Sequence, residues 1–549
     1  MYSTSRSREV SLLLDYSPRR VPLACSPLGN PPDPAGTAIA ESLAMSIQPT
    51  SLASRRALVC AALVLTGFFG GSSAWAQAAS NQPEGWDSEL RLKEAVDINP
   101  DPKIVEVNID ARVERITIAP GKTVEAFTYN GQVPGPLIRL NVGDRLIVHF
   151  TNHLPMATTI HWHGVRVPIE MDGVPGISQP EVKPGGAFTY DLMVPDPGLF
   201  WYHPHVATAE QVGFGLYAPL VVEDPAEKSR LGVVDEIVVV LSDIGIDENG
   251  KLEDPESGGT TGMAFGREGN IVLVNGKVGG MGTLKARSGA PMRWRILNAA
   301  KSRYFSLDLD GQPLVKIGSD GGLIEYQTTA TSLVLGCAER VDLIVQPKGP
   351  AGGELLLHSF VFNRGYGSVE FRPAEEPLFK IQFADGPAYS GPAPTRSTRA
   401  ITPYSAEGAT PLELLLTIDQ LQDGRFQYGI DHKPYWTAKA FTAKLGETQI
   451  WTITNKTPWS HPFHLHGFFF HVVDEKGQAV HPIEWKDTVN VQFDQTVRVL
   501  VRFDERPGTW MMHCHILDHA DGGLMGTIRV GLPDDPHATH LPHPHDYRF

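Results

Sequence analysis

A ten-residue pattern occurs three times along the 549-residue chain and restricts the fold that the chain can adopt. Each copy has a glycine turn, a strand of alternating apolar and polar residues, and a closing asparagine. The copies are residues 143–152 (GDRLIVHFTN), 289–298 (GAPMRWRILN) and 446–455 (GETQIWTITN). Alternation with a period of two is typical of a strand with one buried face. Because helical periodicity is weak and Gly and Pro turns separate short β-branched runs, we predict an all-β chain of three Greek-key β-sandwich domains.

A second repeat supports this organisation and distinguishes the middle domain from the other two. Residues 197–203 (PGLFWYH) resemble residues 507–513 (PGTWMMH), whereas the middle domain has no histidines at the corresponding places. Composition predicts a Pro/Ser/Thr-rich linker at 386–404. The predicted domains are 98–225, 226–388 and 405–532, followed by a His-rich tail at 533–549. The tail is either a solvated, disordered segment or a segment that captures metal.

The most informative motif for function is residues 513–519 (HCHILDH). Neighbouring side chains of an extended strand point to opposite faces. Cys514 can therefore face one metal while His513 and His515 face a second site behind it. Since the backbone between them is a short covalent path for electrons, the motif predicts a protein that takes up electrons at one metal and delivers them to another.

Three more motifs enlarge the candidate metal set: residues 161–163 (HWH), 203–205 (HPH) and 461–466 (HPFHLH). Many imidazoles with a single thiolate suit copper, and a trigonal site of two His and one Cys is typical of a blue-copper centre. We expect Cys514, His461 and His519 to form that centre. The other eight histidines would fill a mononuclear site with two ligands and a binuclear site with three ligands per metal. Structural zinc is less favoured, because it prefers closed four-ligand sets that often contain several cysteines.

The four motifs, in this order, resemble those of the multicopper oxidases, the laccase family, over roughly residues 98–532. The resemblance implies cupredoxin-type domains and four copper ions: one type 1, one type 2 and two type 3. It also implies an enzyme that reduces dioxygen to water at a three-copper cluster between domains one and three. The implied ligands are His461, Cys514 and His519 for type 1, His161 and His464 for type 2, and His163, His203, His205, His466, His513 and His515 for the type 3 pair.

The residue at the axial position of the type 1 copper affects its redox potential. Some family members carry an axial Met ten residues after the cysteine, where this chain has Leu524. An apolar axial residue gives copper no fourth ligand, which favours Cu(I) and predicts a fairly high potential. The alternative is that the register shifts by one residue and Met525 binds.

Two acidic residues are candidates for moving the protons that oxygen reduction needs. Asp172 matches an acidic position that the family places near the cluster, where a carboxylate can relay protons. The alternative is an ordinary turn aspartate before Gly173. Several relatives have Glu directly after the last type 1 histidine, whereas this chain has Ala520 followed by Asp521. Whether Asp521 takes over that role stays open.

The N-terminal region indicates export. Residues 54–78 contain a twin arginine (Arg55 and Arg56), an apolar run and small residues, which predicts a twin-arginine-type signal peptide. An ordinary secretory signal is the alternative. Residues 1–53 are expected to be disordered or a mis-annotated extension, because a signal of normal length would start at Met45. We expect a bacterial periplasmic or secreted protein with no membrane span, since the apolar run is too short for one.

Charge and cysteine content narrow the function further. The net charge of −15 argues against nucleic-acid binding. Cys25 and Cys60 precede the mature chain, so we expect no structural disulfide, and Cys337 reads as a small buried residue. The oligomeric state is not indicated.

The favoured function is a laccase-like oxidase that takes electrons from a small-molecule reductant, with phenols and aromatic amines preferred, and passes them to dioxygen. The alternative is oxidation of a metal-ion reductant, Cu(I) or Mn(II), in metal tolerance. That alternative ranks second because the chain has only 11 Met and no Met-rich insert. Two-domain nitrite reductases share the cupredoxin fold, but they lack the full set of four motifs and therefore do not match this chain. A copper-free cupredoxin scaffold is a distant third possibility.

Overall fold

The computed structural model describes residues 80–233, 235–365 and 373–533. The predicted extension (1–53), the predicted signal peptide (54–78) and all but the first residue of the predicted tail (533–549) lie outside the described residues. Within them the chain is mostly β-strand, with a few short helices, arranged in six sheets. This confirms the all-β prediction. None of the helices in the described ranges combines the length and the apolar character needed to cross a membrane.

The first domain is a sandwich of two four-stranded sheets, with strand orders β2-β1-β4-β6 and β3-β8-β7-β5. A 3-10 helix at Ile169–Met171 and helix α1 (Thr208–Gly213) lie in its loops. Its strands are β1 (Ile104–Ala119), β2 (Lys122–Tyr129), β3 (Ile138–Asn141), β4 (Arg145–Asn152), β5 (His161–His163), β6 (Ala187–Met193), β7 (Gly198–His203) and β8 (Ala218–Glu223).

The second domain follows helix α2 (Pro225–Leu231) and has a seven-stranded sheet, β11-β10-β9-β13-β18-β15-β16, and a five-stranded sheet, β12-β20-β19-β14-β17. Helix α3 (Gly259–Phe265) lies between β9 and β10. The strands are β9 (Glu236–Ile244), β10 (Ile271–Val274), β11 (Lys277–Val278), β12 (Gly282–Ala286), β13 (Met292–Asn298), β14 (Phe305–Asp308), β15 (Leu314–Ser319), β16 (Gly322–Ala330), β17 (Ser332–Leu335), β18 (Arg340–Val345), β19 (Glu354–Phe360) and β20 (Glu375–Phe383).

The third domain has two five-stranded sheets, β22-β21-β24-β28-β26 and β23-β30-β29-β25-β27. Helix α4 (Leu517–Asp521) joins its last two strands. The strands are β21 (Thr410–Gln420), β22 (Phe426–Ile430), β23 (Phe441–Ala443), β24 (Thr448–Asn455), β25 (His461–Leu465), β26 (Phe470–Val473), β27 (Thr488–Val491), β28 (Thr496–Arg502), β29 (Gly508–Cys514) and β30 (Met525–Val530). The three pairs of sheets fall within the ranges 98–225, 226–388 and 405–532.

The repeated pattern forms the equivalent strands β4, β13 and β24. In β4 the apolar residues Leu146, Val148 and Phe150 are buried and alternate with residues that are half-buried or exposed. The closing asparagines, Asn152, Asn298 and Asn455, are fully buried. Each donates from Nδ2 to at least two backbone carbonyls across the end of the sandwich, as Asn455 does to Trp459 (2.7 Å) and Val491 (3.0 Å). The asparagine therefore recurs because it satisfies carbonyl groups that the ladder leaves unpaired.

Residues outside the predicted ranges also contribute to the core. Trp86 and Leu90 precede the first domain in sequence but pack into the core of the second domain, beside Leu284 and Phe379. Cys337 and Cys514, the two cysteines of the described ranges, are buried and unpaired, as predicted. Cys337 lies in the apolar core that the third domain shares with residues of the second.

Candidate metal centres

The histidine motifs lie on paired strands at corresponding places in the first and third domains. In the first domain β5 pairs with β7 so that His161 lies opposite His203. In the third, β25 pairs with β29, with His464 opposite His513 and Phe463 opposite Cys514. Since successive side chains of a strand alternate between faces, Cys514 and His513 point to different sites, as the sequence predicts.

The first site consists of Cys514, His461 and His519. The Cys514 Sγ atom lies 3.2 Å from His461 Nδ1 and 3.8 Å from His519 Nδ1, and the two nitrogens are 3.1 Å apart. Transition-metal bonds to N and S of about 2.0–2.3 Å separate three trigonal donors by roughly 3–4 Å. The triangle therefore has the dimensions of one metal's ligand set, and all three residues are fully buried.

In both histidines the Nε2 atom is hydrogen-bonded to a partner outside the site, which leaves Nδ1 as the nitrogen that faces the Cys514 thiol. His461 Nε2 donates to Thr457 Oγ1 (2.6 Å), and His519 Nε2 donates to the hydroxyl of Tyr428 (3.2 Å). The Tyr428 hydroxyl in turn donates to the Ala264 carbonyl in α3 (2.7 Å). Each Nδ1 therefore carries a lone pair. Two lone pairs 3.1 Å apart repel one another unless a cation lies between them. The short distance between these two nitrogens is therefore typical of two ligands that share one metal ion.

The surroundings of this site are apolar. Leu524 is fully buried in the same cluster as Cys514, and its carbonyl accepts the Cys514 N–H (3.1 Å). Met525 lies in a different cluster, with Val174 and Met511. This placement favours Leu524 over Met525 at the axial position. Burial raises the pKa of the Cys514 thiol and lowers the pKa of His461 to about 3, so the imidazole is neutral and available as a ligand.

The eight remaining motif histidines form a second, larger site. Their ligand atoms fall into three sets within 4.8 Å of one another: His161, His163 and His464; His163, His203 and His515; and His205, His466 and His513. His513 and His515 are thus in different sets. Burial lowers the pKa of His205 to about 3 and that of His203, His513 and His515 well below the usual value, which keeps these rings neutral.

Ring nitrogens without a hydrogen-bond partner among the described residues line this site. They are His161 Nε2, His163 Nδ1, His203 Nε2, His205 Nε2, His464 Nε2 and both ring nitrogens of His515. His466 Nε2 and His513 Nε2 lie 3.1 Å apart. Both carry lone pairs, because His466 donates from Nδ1 to Asp172 and His513 donates from Nδ1 to the Cys514 carbonyl. Buried polar atoms are normally paired, so eight inward-facing lone pairs fit a cluster of metal ions.

Asp172 lies against this site. Its Oδ2 accepts from His466 Nδ1 (2.9 Å), its Oδ1 lies 3.3 Å from His161 Nδ1, and its carbonyl accepts from that same nitrogen (2.7 Å). Burial alone would raise the pKa of Asp172, but the adjacent His466 and His161 bring it below its usual value. Asp172 therefore contacts two of the predicted ligands, in addition to lying in the turn before Gly173.

Asp521 occupies a different position, at the end of α4. Its Oδ2 accepts from the backbone N–H of Ala209 (3.0 Å). It lines a small cavity with His205 and His513, and also a larger cavity of about 550 Å³ beside α3. Asp521 thus separates the space next to two predicted ligands from an outer cavity.

The sequence interpretation missed Asp487. This buried residue accepts from His163 Nε2 at Oδ1 (3.0 Å) and from His464 Nδ1 at its carbonyl (2.9 Å). It precedes β27, which pairs with the ligand strand β25. No spacing pattern marks it, and only the pairing of β27 beside β25 brings it to the histidines.

Comparison with known proteins gives the family. Sequence profiles described as multicopper oxidase match residues 110–227, 235–357 and 409–534. The chain is 32% identical over 439 residues to the multicopper oxidase MmcO of Mycobacterium tuberculosis, covering 74% of this chain and 83% of that protein.

This chain belongs to the multicopper oxidase family.

Two further relatives add to this assignment. The laccase of Bacillus subtilis is 28% identical over 479 residues, covering 74% of this chain and 90% of that protein. The multicopper oxidase of Campylobacter jejuni, described as a metallo-oxidase, superposes with a TM-score of 0.70 at 29% identity, over 80% of this chain and 94% of that one. The three domains are accordingly of the cupredoxin type. This multicopper oxidase is a copper-dependent oxidoreductase that uses dioxygen, as the resemblance implied.

Proposed function

We propose that this multicopper oxidase is of the laccase type: it takes single electrons from phenols or aromatic amines and uses four of them to reduce dioxygen to two waters. The observation that carries the proposal is the segment 513–515 at the end of β29, because Cys514 belongs to the three-ligand site and both flanking rings belong to the eight-histidine site. One short segment of the backbone therefore connects a site suited to electron uptake with a site suited to oxygen.

The copper assignment that we propose follows the two ligand sets. His461, Cys514 and His519 hold the type 1 copper, His161 and His464 the type 2 copper, and the remaining six histidines the type 3 pair. When bound, the copper ions supply reversible one-electron redox chemistry. Burial keeps His203, His205, His461, His513 and His515 neutral. Hydrogen-bond partners fix the tautomers of His461, His519, His466 and His513. The apolar surroundings of Cys514 exclude water from its sulfur.

The path between the two sites runs through Cys514. Covalent bonds connect its sulfur to the backbone of His513 and His515. The His513 ring also donates from Nδ1 to the Cys514 carbonyl (2.9 Å), which adds a hydrogen-bonded shortcut to one side of the eight-histidine site. The two flanking rings thus give an electron a route to each half of the proposed type 3 pair.

Two carboxylates are proposed to handle protons. Asp172 orients His466 and His161 and holds a negative charge next to the proposed oxygen site. Asp521 borders both the small cavity beside His205 and His513 and the outer cavity of about 550 Å³. A carboxylate between outside space and a buried site is placed to pass protons inward.

Metal oxidation is the second candidate, because the Campylobacter jejuni neighbour is described as a metallo-oxidase. Helix α3, which covers the Cys514 site, carries a single methionine, Met263. Soft Cu(I) is bound best by several thioether or thiolate groups. A single thioether over the site therefore supports phenol oxidation more than Cu(I) oxidation.

Oxygen uptake with defined reductants tests the proposal. We expect the copper-loaded protein to oxidise dimethoxyphenol and ferrocyanide, with four electrons consumed per dioxygen and no hydrogen peroxide released. Cu(I) and Mn(II) are the comparison substrates. Rapid Cu(I) turnover with negligible phenol oxidation would overturn the substrate assignment, and accumulation of peroxide would overturn the four-electron reaction.

We also propose that the protein works in the periplasm or outside the cell. The support is the pattern of residues 54–78, a twin arginine followed by an apolar run and small residues. Replacing Arg55 and Arg56 with Lys should retain the protein in the cytoplasm, as cell fractionation would measure. Unchanged export of that variant would favour an ordinary secretory route.

A further inference from the structure

The second domain provides none of the predicted copper ligands, yet one of its side chains reaches the eight-histidine site. Arg340, the first residue of β18, is fully buried. Its guanidinium donates to both carboxylate oxygens of Asp487, from Nη1 to Oδ1 (2.8 Å) and from Nη2 to Oδ2 (2.5 Å). This is a bidentate ion pair between domains two and three, the strongest geometry that Arg and a carboxylate form.

The other face of the same carboxylate holds predicted ligands. Asp487 Oδ1 accepts from His163 Nε2 (3.0 Å), and the Asp487 carbonyl accepts from His464 Nδ1 (2.9 Å). His163 belongs to domain one and His464 to domain three. These bonds leave His163 Nδ1 and His464 Nε2 as the inward-facing atoms, which are two of the unpartnered nitrogens of the site. A single aspartate therefore sets the tautomer of one proposed type 3 ligand and one proposed type 2 ligand.

Arg340 is itself held in place on every side. Its Nε donates to the Leu199 carbonyl (3.0 Å), Nη1 to the Ala338 carbonyl (3.0 Å) and Nη2 to the Asp320 carbonyl (3.1 Å). The carboxylate of Asp320 accepts the backbone N–H of Arg340 (2.9 Å). The guanidinium thus donates to partners in all three domains, and these bonds hold the Arg340–Asp487 ion pair in a single geometry.

Gly164 provides an independent sign that the pair must approach the ligands closely. It follows His163 directly and has a φ of +83°. A Cβ atom at this position would lie 2.6 Å from Arg340 Nη2 and 2.6 Å from Asp487 Oδ2. A glycine directly after the HWH motif therefore leaves space for the Arg340–Asp487 pair, in addition to adopting a left-handed conformation.

We propose that Arg340 is a positioning residue of the copper cluster: through Asp487 it fixes the orientation of His163 and His464, so that the second domain sets the geometry where the type 2 and type 3 ligands meet. This rests on the copper assignment proposed above. Partners behind metal-binding histidines commonly contribute 10–100-fold in metal affinity. A role limited to docking the domains would stabilise the fold but leave the copper spectra unchanged, so the two can be separated.

The test compares Arg340→Lys and Asp487→Asn with a control, Arg295→Lys. Arg295 is another buried arginine of domain two, paired with Glu223 (3.1 Å) and Glu236 (2.9 Å). The readouts are copper per chain at increasing chelator concentration, the type 2 electron paramagnetic resonance signal and the type 3 absorption. The type 1 blue absorption reports correct folding.

We expect both variants to keep the blue absorption, to bind copper at the eight-histidine site about 10–100-fold more weakly and to show an altered type 2 signal. The Arg295→Lys control should keep wild-type copper content and signals. Wild-type affinity and spectra in Arg340→Lys and Asp487→Asn would overturn the proposal, as would an equal loss in the control. If Arg340→Lys does not fold, the nearly isosteric Asp487→Asn decides. A wild-type protein without type 2 and type 3 copper would instead refute the proposed function.

Discussion

At the scale of single residues, the second ring nitrogen of a histidine determines what the first can do. His461 and His519 donate outward to Thr457 and Tyr428, which leaves both Nδ1 atoms facing Cys514. In the larger site the partners are carbonyls and carboxylates, among them Asp172 and Asp487. These partners are of ordinary residue types and come from distant parts of the chain. The ligand motifs could therefore be found in the sequence, whereas Asp487 and Tyr428 could not.

Replacing Cys514 with Ser should separate the two sites. A hydroxyl is a poor ligand for copper compared with a thiolate. We expect Cys514→Ser to lose the blue absorption and the oxidase activity, while copper per chain falls from about four to about three. The measurement is copper analysis combined with absorption spectroscopy.

Cys337→Ser is the matched control. Cys337 is also a fully buried, unpaired cysteine, but its sulfur contacts the Arg303 carbonyl (3.5 Å) rather than a predicted ligand. It should keep four coppers and the blue absorption. A loss of blue absorption in this variant, or its retention in Cys514→Ser, would contradict the assignment of the thiolate.

Introducing a methionine at the axial position should lower the type 1 potential. Leu524 lies in the Cys514 cluster and offers no ligand atom, so a thioether there adds a weak fourth bond and stabilises Cu(II). We expect Leu524→Met to have a lower potential by redox titration and slower oxidation of poorly reducing phenols. Met525→Leu, which changes a side chain in a different cluster, should leave the potential unchanged. An unchanged potential in Leu524→Met together with a changed potential in Met525→Leu would show that Met525 is the axial residue.

At the scale of elements, helix α3 of the second domain covers the helix that carries His519. The Ala264 carbonyl accepts from Tyr428, and Arg267, just after α3, holds α4 through Asp518. The Arg267 backbone N–H and Nη1 donate to the two Asp518 oxygens at 2.8 and 2.5 Å. The repeated strands were predictable from their period-two pattern, but α3 was not, because seven residues with two glycines carry little helical signal.

Removing the Arg267 guanidinium should loosen this cover. We expect Arg267→Gln to destabilise the protein by about 1.5–3 kcal/mol, since it breaks a charge-assisted bond to the buried Asp518. Hydrogen exchange in residues 259–265 should become faster, and KM for bulky phenols should fall because access towards His519 improves.

Arg425→Gln serves as the comparison. Arg425 lines the same cavity, but its ion-pair partner within the described ranges is the nearby exposed Asp423 (2.8 Å). A surface pair of this kind contributes about 0–1 kcal/mol. Equal exchange rates in α3 for both variants would refute the covering role of the Arg267–Asp518 contact.

At the scale of the whole molecule, the eight-histidine site joins the first and third domains, and Arg340 ties the second domain to it. The repeats predicted this division, since only the outer domains carry the histidine motifs. The sequence did not indicate that residues before 98 belong to the core of the second domain, because Trp86 and Leu90 show no strand pattern. Tertiary packing, rather than local periodicity, determines where such residues lie.

Copper removal should therefore weaken the molecule as a whole. A ligand that binds only the folded state stabilises it by about 4 kcal/mol when its free concentration is 1,000 times its Kd. We expect the chelated protein to unfold at a lower temperature than the copper-loaded protein in scanning calorimetry, and reloading copper to restore the higher value. Identical unfolding temperatures would contradict a copper cluster shared between domains.

Anomalous diffraction at the copper absorption edge tests the central claim, the positions of the two copper sites, most directly. Crystals of the copper-loaded protein should give four peaks: one within bonding distance of Cys514, His461 and His519, and three among the eight remaining motif histidines. A peak near Met525 Sδ in place of the Cys514 site, or fewer than three peaks among the eight histidines at full loading, would contradict the account.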